Sequence, residues 1–214
     1  MKLYGFFRSS AAFRVRIALG LKRLTADQIP VHLRKDHQRA PDYLALNPLG
    51  LVPTLIEDDG TALAQSLAIV EYLDETRPEP PLLPREPKAR AHVRALAQVV
   101  ACEIHPLNNL RVLNYLRRDL KQPETAVEAW YAHWIATGFE AFEAMLDRRP
   151  GRGRFCLDDA PGLADICLVP QVFNAKRYPI PLSPYPKLMA VFEACMKLPA
   201  FDAAQPSKQP DFEP

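Results

Sequence analysis

Ser9 and Ser10 carry the hydroxyls best placed for chemistry in this chain. They follow Leu3-Tyr4-Gly5-Phe6, which reads as a short buried strand. They precede a run in which Phe13, Ile17, Leu21 and Leu24 recur at helical spacing, with Arg14, Arg16 and Lys22 on the other faces. Those two arginines are expected at the helix surface or in pairs between domains. The serines thus stand where a strand ends and a helix begins. The first N–H groups of a helix lack partners within it, and that end carries a partial positive charge. A hydroxyl there either caps the backbone, its commoner use, or donates to an anion such as a thiolate.

Arginine is the side chain suited to gripping carboxylates. Arg8 directly precedes the two serines. Asn108, Arg111 and Tyr115 fall at helical spacing on one stripe, with His105 a turn earlier. Arg177 follows Val172 and Ala175 near a helix C-terminus, where a cation also offsets the helix dipole. Each arginine has a plain reading as a solvated surface charge. His105 precedes a proline and either lines a site or satisfies a bent backbone. Cys102, Cys156, Cys167 and Cys195 are scattered, with no C-x-x-C and no metal-ligand spacing. They are expected to be reduced and structural, with no metal bound; chemistry by a vicinal dithiol is excluded.

The elements that must hold these groups divide the chain in two. Gln28-Ile29-Pro30-Val31-His32-Leu33 alternates like a half-buried strand, and its proline argues for a sheet edge. Val52-Pro53-Thr54-Leu55-Ile56 reads as another strand, and Asp58-Asp59-Gly60 turns it into Thr61-Ala62-Leu63. Ser66 is the expected N-cap of a helix through Leu67, Ile69, Val70, Tyr72 and Leu73, whose solvated face carries Glu71, Asp74 and Glu75. Arg77 to Pro87 holds five prolines and cannot continue a helix. Beyond it the patterns are helical, with a bend near His105-Pro106, a loop at Arg148 to Arg154 and a polar tail after Pro199 expected to be loosely held. The expected division is a small α/β domain at 1–79, a linker at 80–87 and an all-helical domain at 88–214.

The 214 residues are 48% apolar and 24% charged, which predicts a packed core. A net charge of +2 without a long basic run gives no support to nucleic-acid binding. No apolar run approaches the ~20 residues of a membrane helix, and no signal-peptide pattern opens the chain. A cytoplasmic protein is the expectation.

An α/β domain, a proline-rich connector and a helical domain in this order resemble the cytosolic glutathione transferases: a thioredoxin-like N-terminal domain followed by an all-α domain. Asn47-Pro48-Leu49-Gly50-Leu51-Val52-Pro53-Thr54-Leu55 resembles that family's cis-proline loop. Gln65-Ser66-Leu67-Ala68-Ile69-Val70-Glu71-Tyr72-Leu73 resembles its γ-glutamyl-binding turn and helix, and Pro161-Gly162-Leu163-Ala164-Asp165 its capping box. Arg8-Ser9-Ser10-Ala11-Ala12-Phe13-Arg14-Val15-Arg16-Ile17-Ala18-Leu19 resembles the zeta-class signature, as do Glu103 to Arg111 and Leu168 to Val172. The sequence departs from the family at Ala11, where the class usually has cysteine, and at Gly162, where the capping box has Ser or Thr. Glycine as N-cap costs only a few tenths of a kcal/mol, so the helix is expected to form.

The resemblance implies a homodimeric enzyme that uses glutathione to isomerise the cis double bond of a small dicarboxylate, as in maleylacetoacetate isomerase. A maleylpyruvate isomerase, a broad-specificity transferase and a catalytically silent binding protein are the alternatives. Reversible thiolate addition requires a partner for the thiolate, a grip on two carboxylates and stabilisation of developing enolate charge. The resemblance assigns Ser9 to the thiolate with Ser10 second, Arg8 to catalysis, and Arg8, Arg111 and Arg177 to the substrate. Ser9, Val52, Pro53, Gln65, Ser66, His105 and Asn108 would hold glutathione.

Overall fold

The computed structural model describes residues 1–213. Its first unit comprises Met1–Leu82 and the segment from Met196 onward, and its second runs Leu83–Cys195. The first unit contains β1 (Lys2–Gly5), α1 (Ser10–Leu21), β2 (Asp27–Pro30), α2 (Pro41–Leu46), β3 (Thr54–Ile56), β4 (Ala62–Ala64) and α3 (Ser66–Thr76). The sheet order is β2-β1-β3-β4, with β1 parallel to β2 and antiparallel to β3, and β3 antiparallel to β4. This is the thioredoxin-like arrangement expected. β2 lies at the edge, as its proline suggests, but stops at Pro30 because β1 ends opposite it at Gly5. Val31 turns inward instead and packs with Phe6, Phe7, Tyr43 and Val52.

α1 is buried nearly all round, from Ala12 through Leu19, because α3 and the C-terminal segment pack against it. Arg14, Arg16 and Lys22 are therefore not surface residues, with exposures of 2%, 8% and 6%. Each is buried with hydrogen-bond acceptors, which makes burial of the charge tolerable. The Lys22 ammonium donates to Pro80 O at 2.6 Å, to Arg77 O at 2.7 Å and to the Asp74 carboxylate. Asp74, expected on a solvated face, also accepts from Leu82 N at 2.8 Å. It ties the end of α3 to the proline-rich stretch.

The tail is not loose. It forms a further helix at Pro199–Ala203, whose Phe201 is fully buried, and it packs on α1. The expected helical domain at 88–214 thus loses its last segment to the first unit. Burial of Phe201 and Ala204 outweighs the polar, proline-rich composition around them.

The second unit contains α4 (Pro87–Gln98), α5 (Leu110–Arg118), α6 (Glu124–Asp147), α7 (Leu163–Lys176) and α8 (Pro186–Met196); the tail helix Pro199–Ala203 is α9. Between α4 and α5 the chain takes a π-helical turn, Val99–Ile104, which accounts for the bend expected near His105-Pro106. Ile104 presses on α6 so closely that a Cβ at Gly138 would lie 2.3 Å from its side chain. At the start of α7, Asp165 accepts from Gly162 N and from Cys156 N, each at 2.9 Å. Gly162 supplies no side-chain bond in return, yet the helix forms, as its small expected cost allows. Burial, with the Asp165 carboxylate beside them, pushes the Cys156 and Cys195 thiols up, so neither is a ready nucleophile. Among the described residues no helix is long and apolar enough to cross a membrane.

Candidate active site

Sheet register brings three loops of the first unit to one end of the sheet. Tyr4 pairs with Thr54, so the residues after β1 and those before β3 leave the sheet on the same side. Thr54 pairs with Ala64, so Gln65 and Ser66 emerge there too. Arg8-Ser9-Ser10, Val52-Pro53 and Gln65-Ser66 thereby share that end.

Ser9 is the N-cap of α1, with extended backbone, and its Oγ accepts from Ala12 N at 3.2 Å. Its own N–H donates to Phe6 O at 2.9 Å. A hydroxyl that accepts one bond still has its proton to give. Ser9 is half-buried, whereas Ser10 begins the helix and is only 5% exposed; Arg8 is half-buried beside them. Capping and anion binding are therefore compatible at Ser9.

The Val52–Pro53 peptide is cis. A polar network that sequence reasoning missed holds the loop in front of it. The Tyr43 hydroxyl donates to Leu51 O at 2.6 Å and lies 2.9 Å from Thr54 Oγ1. Asn47 Nδ2 donates to Leu51 O at 2.8 Å and to Thr54 Oγ1 at 3.1 Å. Burial raises the Tyr43 pKa, keeping the phenol a neutral donor. Gly50 takes φ +60°, and a Cβ there would stand 3.0 Å from Gln38 O, so glycine suits the turn.

Gln65, not Ser66, is the N-cap of α3, and it makes no side-chain capping bond. Its φ of +69° is uncommon outside glycine and turns the chain sharply into the helix. Ser66 is the first helical residue and is buried, and its Oγ accepts from Arg14 Nη1 at 3.2 Å. Arg14 is the main residue missed from sequence. The available signal was an arginine within a run otherwise fit for burial on every face.

The remaining expected site residues belong to the second unit. Asn108 lies in the turn before α5, not on the stripe of Arg111 and Tyr115, because Asn109 caps that helix. Asn108 is buried, and its Nδ2 donates to Tyr131 O at 3.0 Å. Tyr131 stacks on Tyr178 at 4.0 Å, and burial raises its pKa while the nearby Arg177 charge opposes that shift. Asn108 and the Arg177 charge therefore both act on Tyr131. Arg111 and Arg177 are exposed, and His105 is half-buried at the end of the π turn. The Trp130 indole donates to Leu107 O at 2.9 Å and steadies the turn carrying Asn108.

Comparison with known proteins shows the family. The families described as glutathione S-transferase, N-terminal domain, and glutathione S-transferase, C-terminal domain, match residues 8–76 and 128–194. A maleylpyruvate isomerase of Ralstonia sp. is 48% identical over 211 residues, covering 99% of each chain. A holo structure of maleylpyruvate isomerase, a bacterial zeta-class transferase, aligns with a TM-score of 0.96 at 47% identity over 100% of both chains. The maleylacetoacetate isomerase of Methylobacterium extorquens, solved with malonate and glutathione bound, aligns with a TM-score of 0.96 at 42% identity over 100% of both chains. Matches of this extent, over a sheet that gathers the serine, cis-proline and Gln-Ser loops, mean that the chain belongs to the zeta class of the glutathione transferase family.

Proposed function

We propose that this chain is a glutathione-dependent cis–trans isomerase that converts maleylacetoacetate to fumarylacetoacetate. The observation that carries the reading is the convergence of Ser9, Val52-Pro53 and Gln65-Ser66 at one end of the sheet. These residues fit a γ-glutamyl peptide. Val52 can offer backbone groups to an extended peptide, as a strand adds to an edge. Ser66 offers its N–H at a helix start, and its hydroxyl, already accepting from Arg14, has a proton left for a carboxylate.

Bound glutathione supplies a thiolate that adds reversibly to the conjugated double bond, which leaves a single bond free to rotate. The protein's part is electrostatic. Ser9, at the positive end of α1, donates to the sulfur and favours its ionised form. Arg8, Arg111 and Arg177 are the residues that would neutralise the two substrate carboxylates and the charge that develops between them. His105 and Asn108 belong to the glutathione side, Asn108 through its carbonyl oxygen, since its amide donates to Tyr131. Ala11 offers no thiol, so the reaction relies on the serines and the helix end.

The test is direct. Purified protein should isomerise maleylacetoacetate only when glutathione is present, and maleylpyruvate more slowly. Faster turnover of maleylpyruvate would reassign the substrate, and no glutathione-dependent turnover of either would leave a silent binding protein. A cytoplasmic homodimer serving aromatic amino acid breakdown belongs to the same proposal. A sedimenting species of 24.1 kDa, the mass of one chain, would remove the dimer.

A further inference from the structure

Both backbone polar groups of Phe7 are taken by side chains from elsewhere in the first unit. The Phe7 N–H donates to Asp211 Oδ2 at 2.9 Å, and the Phe7 carbonyl accepts from Arg16 Nη2 at 3.1 Å. Arg16 Nε donates in turn to Ala204 O at 3.1 Å, which anchors the guanidinium to the end of α9. The Phe212 ring meets Phe7 edge-on at 5.5 Å. Phe7 is 2% exposed and Arg16 8%. Burial lowers the Arg16 pKa to about 10, and the Asp211 charge works against that loss. The next two residues along the chain are Arg8 and Ser9.

Neither bond is needed to complete a strand, because β1 ends at Gly5, and neither caps α1, which Ser9 already does. What the pair does fix is the position of Phe7 along and across the chain. The Phe7 N–H lies on the peptide plane before the residue and its C=O on the plane after it, so the two bonds hold both planes and fix the direction in which the following loop starts. We propose that Arg16 and Asp211 are positioning residues that aim Arg8 and the Ser9 hydroxyl, and that the C-terminal segment thereby sets the rate of the reaction. This rests on the glutathione-dependent reading above. Neither residue contacts reactants; both act through the Phe7 backbone.

The experiment compares Asp211→Ala, Asp211→Asn and a chain ending at Gln209 with the unchanged protein. The shortened chain lacks Asp211 and keeps the sheet, α1 and α9. Four quantities are read: glutathione affinity, the ultraviolet absorbance of bound thiolate, kcat against KM, and the melting temperature. Asp211→Ala and the shortened chain should lower kcat by about tenfold to a hundredfold, the range a misplacement near 1 Å produces. Thiolate absorbance should fall with it, while glutathione affinity, held by Val52 and Ser66, changes less than about twofold. Asp211→Asn keeps a carbonyl acceptor for the Phe7 N–H and should retain most of both signals. Unchanged kcat and thiolate absorbance in Asp211→Ala and the shortened chain would overturn the proposal. So would a loss shared equally by glutathione affinity and melting temperature, the mark of structural glue. Unchanged protein that binds glutathione without isomerising would remove the functional reading, and the thiolate absorbance would still decide the clamp.

Discussion

Arg14 Nη1 lies 3.2 Å from Ser66 Oγ, and both side chains are buried. The bond joins α1, which Ser9 caps, to α3, which begins after Gln65. Its direction matters, because Ser66 accepts from Arg14 and so turns its proton toward an acceptor outside the pair. A fixed cation behind a donor raises the pull on a carboxylate in front of it.

Ser66→Ala and Arg14→Met should each weaken glutathione binding. A hydrogen bond to a charged group is worth about 1.5–3 kcal/mol, or about 10–150-fold in affinity. Removing a single buried charge can itself destabilise a fold, so a melting temperature accompanies each titration and separates loss of fold from loss of affinity. The double variant should lose less than the sum of the two, since both changes break one relay. Strict additivity by calorimetric titration would show that Arg14 acts independently of Ser66.

Ser9→Ala should carry two separable costs. Loss of one donor to a developing anion typically costs roughly 10²–10³ in rate. Loss of an N-cap costs about 1 kcal/mol of stability, here the bond to Ala12 N. Gly in place of Ser9 restores much of the capping and none of the hydroxyl. Ser9→Gly should therefore melt near the unchanged protein and still be slow. Ser10 is buried within the first turn, so Ser10→Ala should have the smaller effect on rate. Full activity in both single variants and in the double would mean that neither hydroxyl is used.

His92 gives the second unit a pH dependence with a definite sign. It lies half-buried on α4, and burial first, then the Arg149 charge, hold its pKa below the ordinary histidine value. The folded state therefore binds the proton less tightly than the unfolded chain does. The stability this neutral imidazole supports is present above about pH 6.5 and is lost as the pH falls through the depressed folded value. His92→Gln cannot titrate and should show a flatter stability profile between about pH 7.5 and 5. Parallel urea midpoints for the two proteins across that range would dismiss the assignment.

Much of the local geometry of the candidate site could be read before the fold, for a reason visible in its residues. Ser9, Val52-Pro53 and Gln65-Ser66 act through local backbone geometry, and a cap, a turn and a proline leave local marks in sequence. Arg14, Arg16 and Lys22 were legible only as charges, because their burial depends on what packs against α1 from distant parts of the chain. Periodicity finds the apolar face of a helix, but it cannot tell a solvated opposite face from one covered by a returning tail. The tail itself misled for the same reason. Phe201 and Asp211 look like part of a polar terminus until α9 places one in the core and the Phe7 N–H meets the other. The Tyr43–Asn47–Thr54 network escaped notice because its members are joined by a loop that only the closed sheet brings together.

The arginines test the substrate rather than the cofactor. A transferase acting on apolar electrophiles has no use for cations beside its substrate, whereas maleylacetoacetate and maleylpyruvate each carry two carboxylates. Arg8 is half-buried in the first unit, and Arg111 and Arg177 are exposed on the second. None of these exposures is demanded by packing, so neutral replacements should leave the fold intact. If the three grip carboxylates, Arg8→Met, Arg111→Met and Arg177→Met should each raise KM for the dianion. One charge-assisted bond of about 1.5–3 kcal/mol corresponds to about 10–150-fold in kcat/KM. Their exposure places Arg111 and Arg177 toward the lower end, since water weakens a contact made at the surface. Arg8→Met should also lower kcat, because Arg8 adjoins Ser9, the proposed partner of the sulfur. A neutral aryl halide has no carboxylate to lose, and its conjugation to glutathione should change little in Arg111→Met and Arg177→Met. Equal losses on the dianion and the aryl halide would assign these arginines to glutathione binding instead. No loss on either substrate would leave them as surface charge and would take the dicarboxylate out of the proposed reaction.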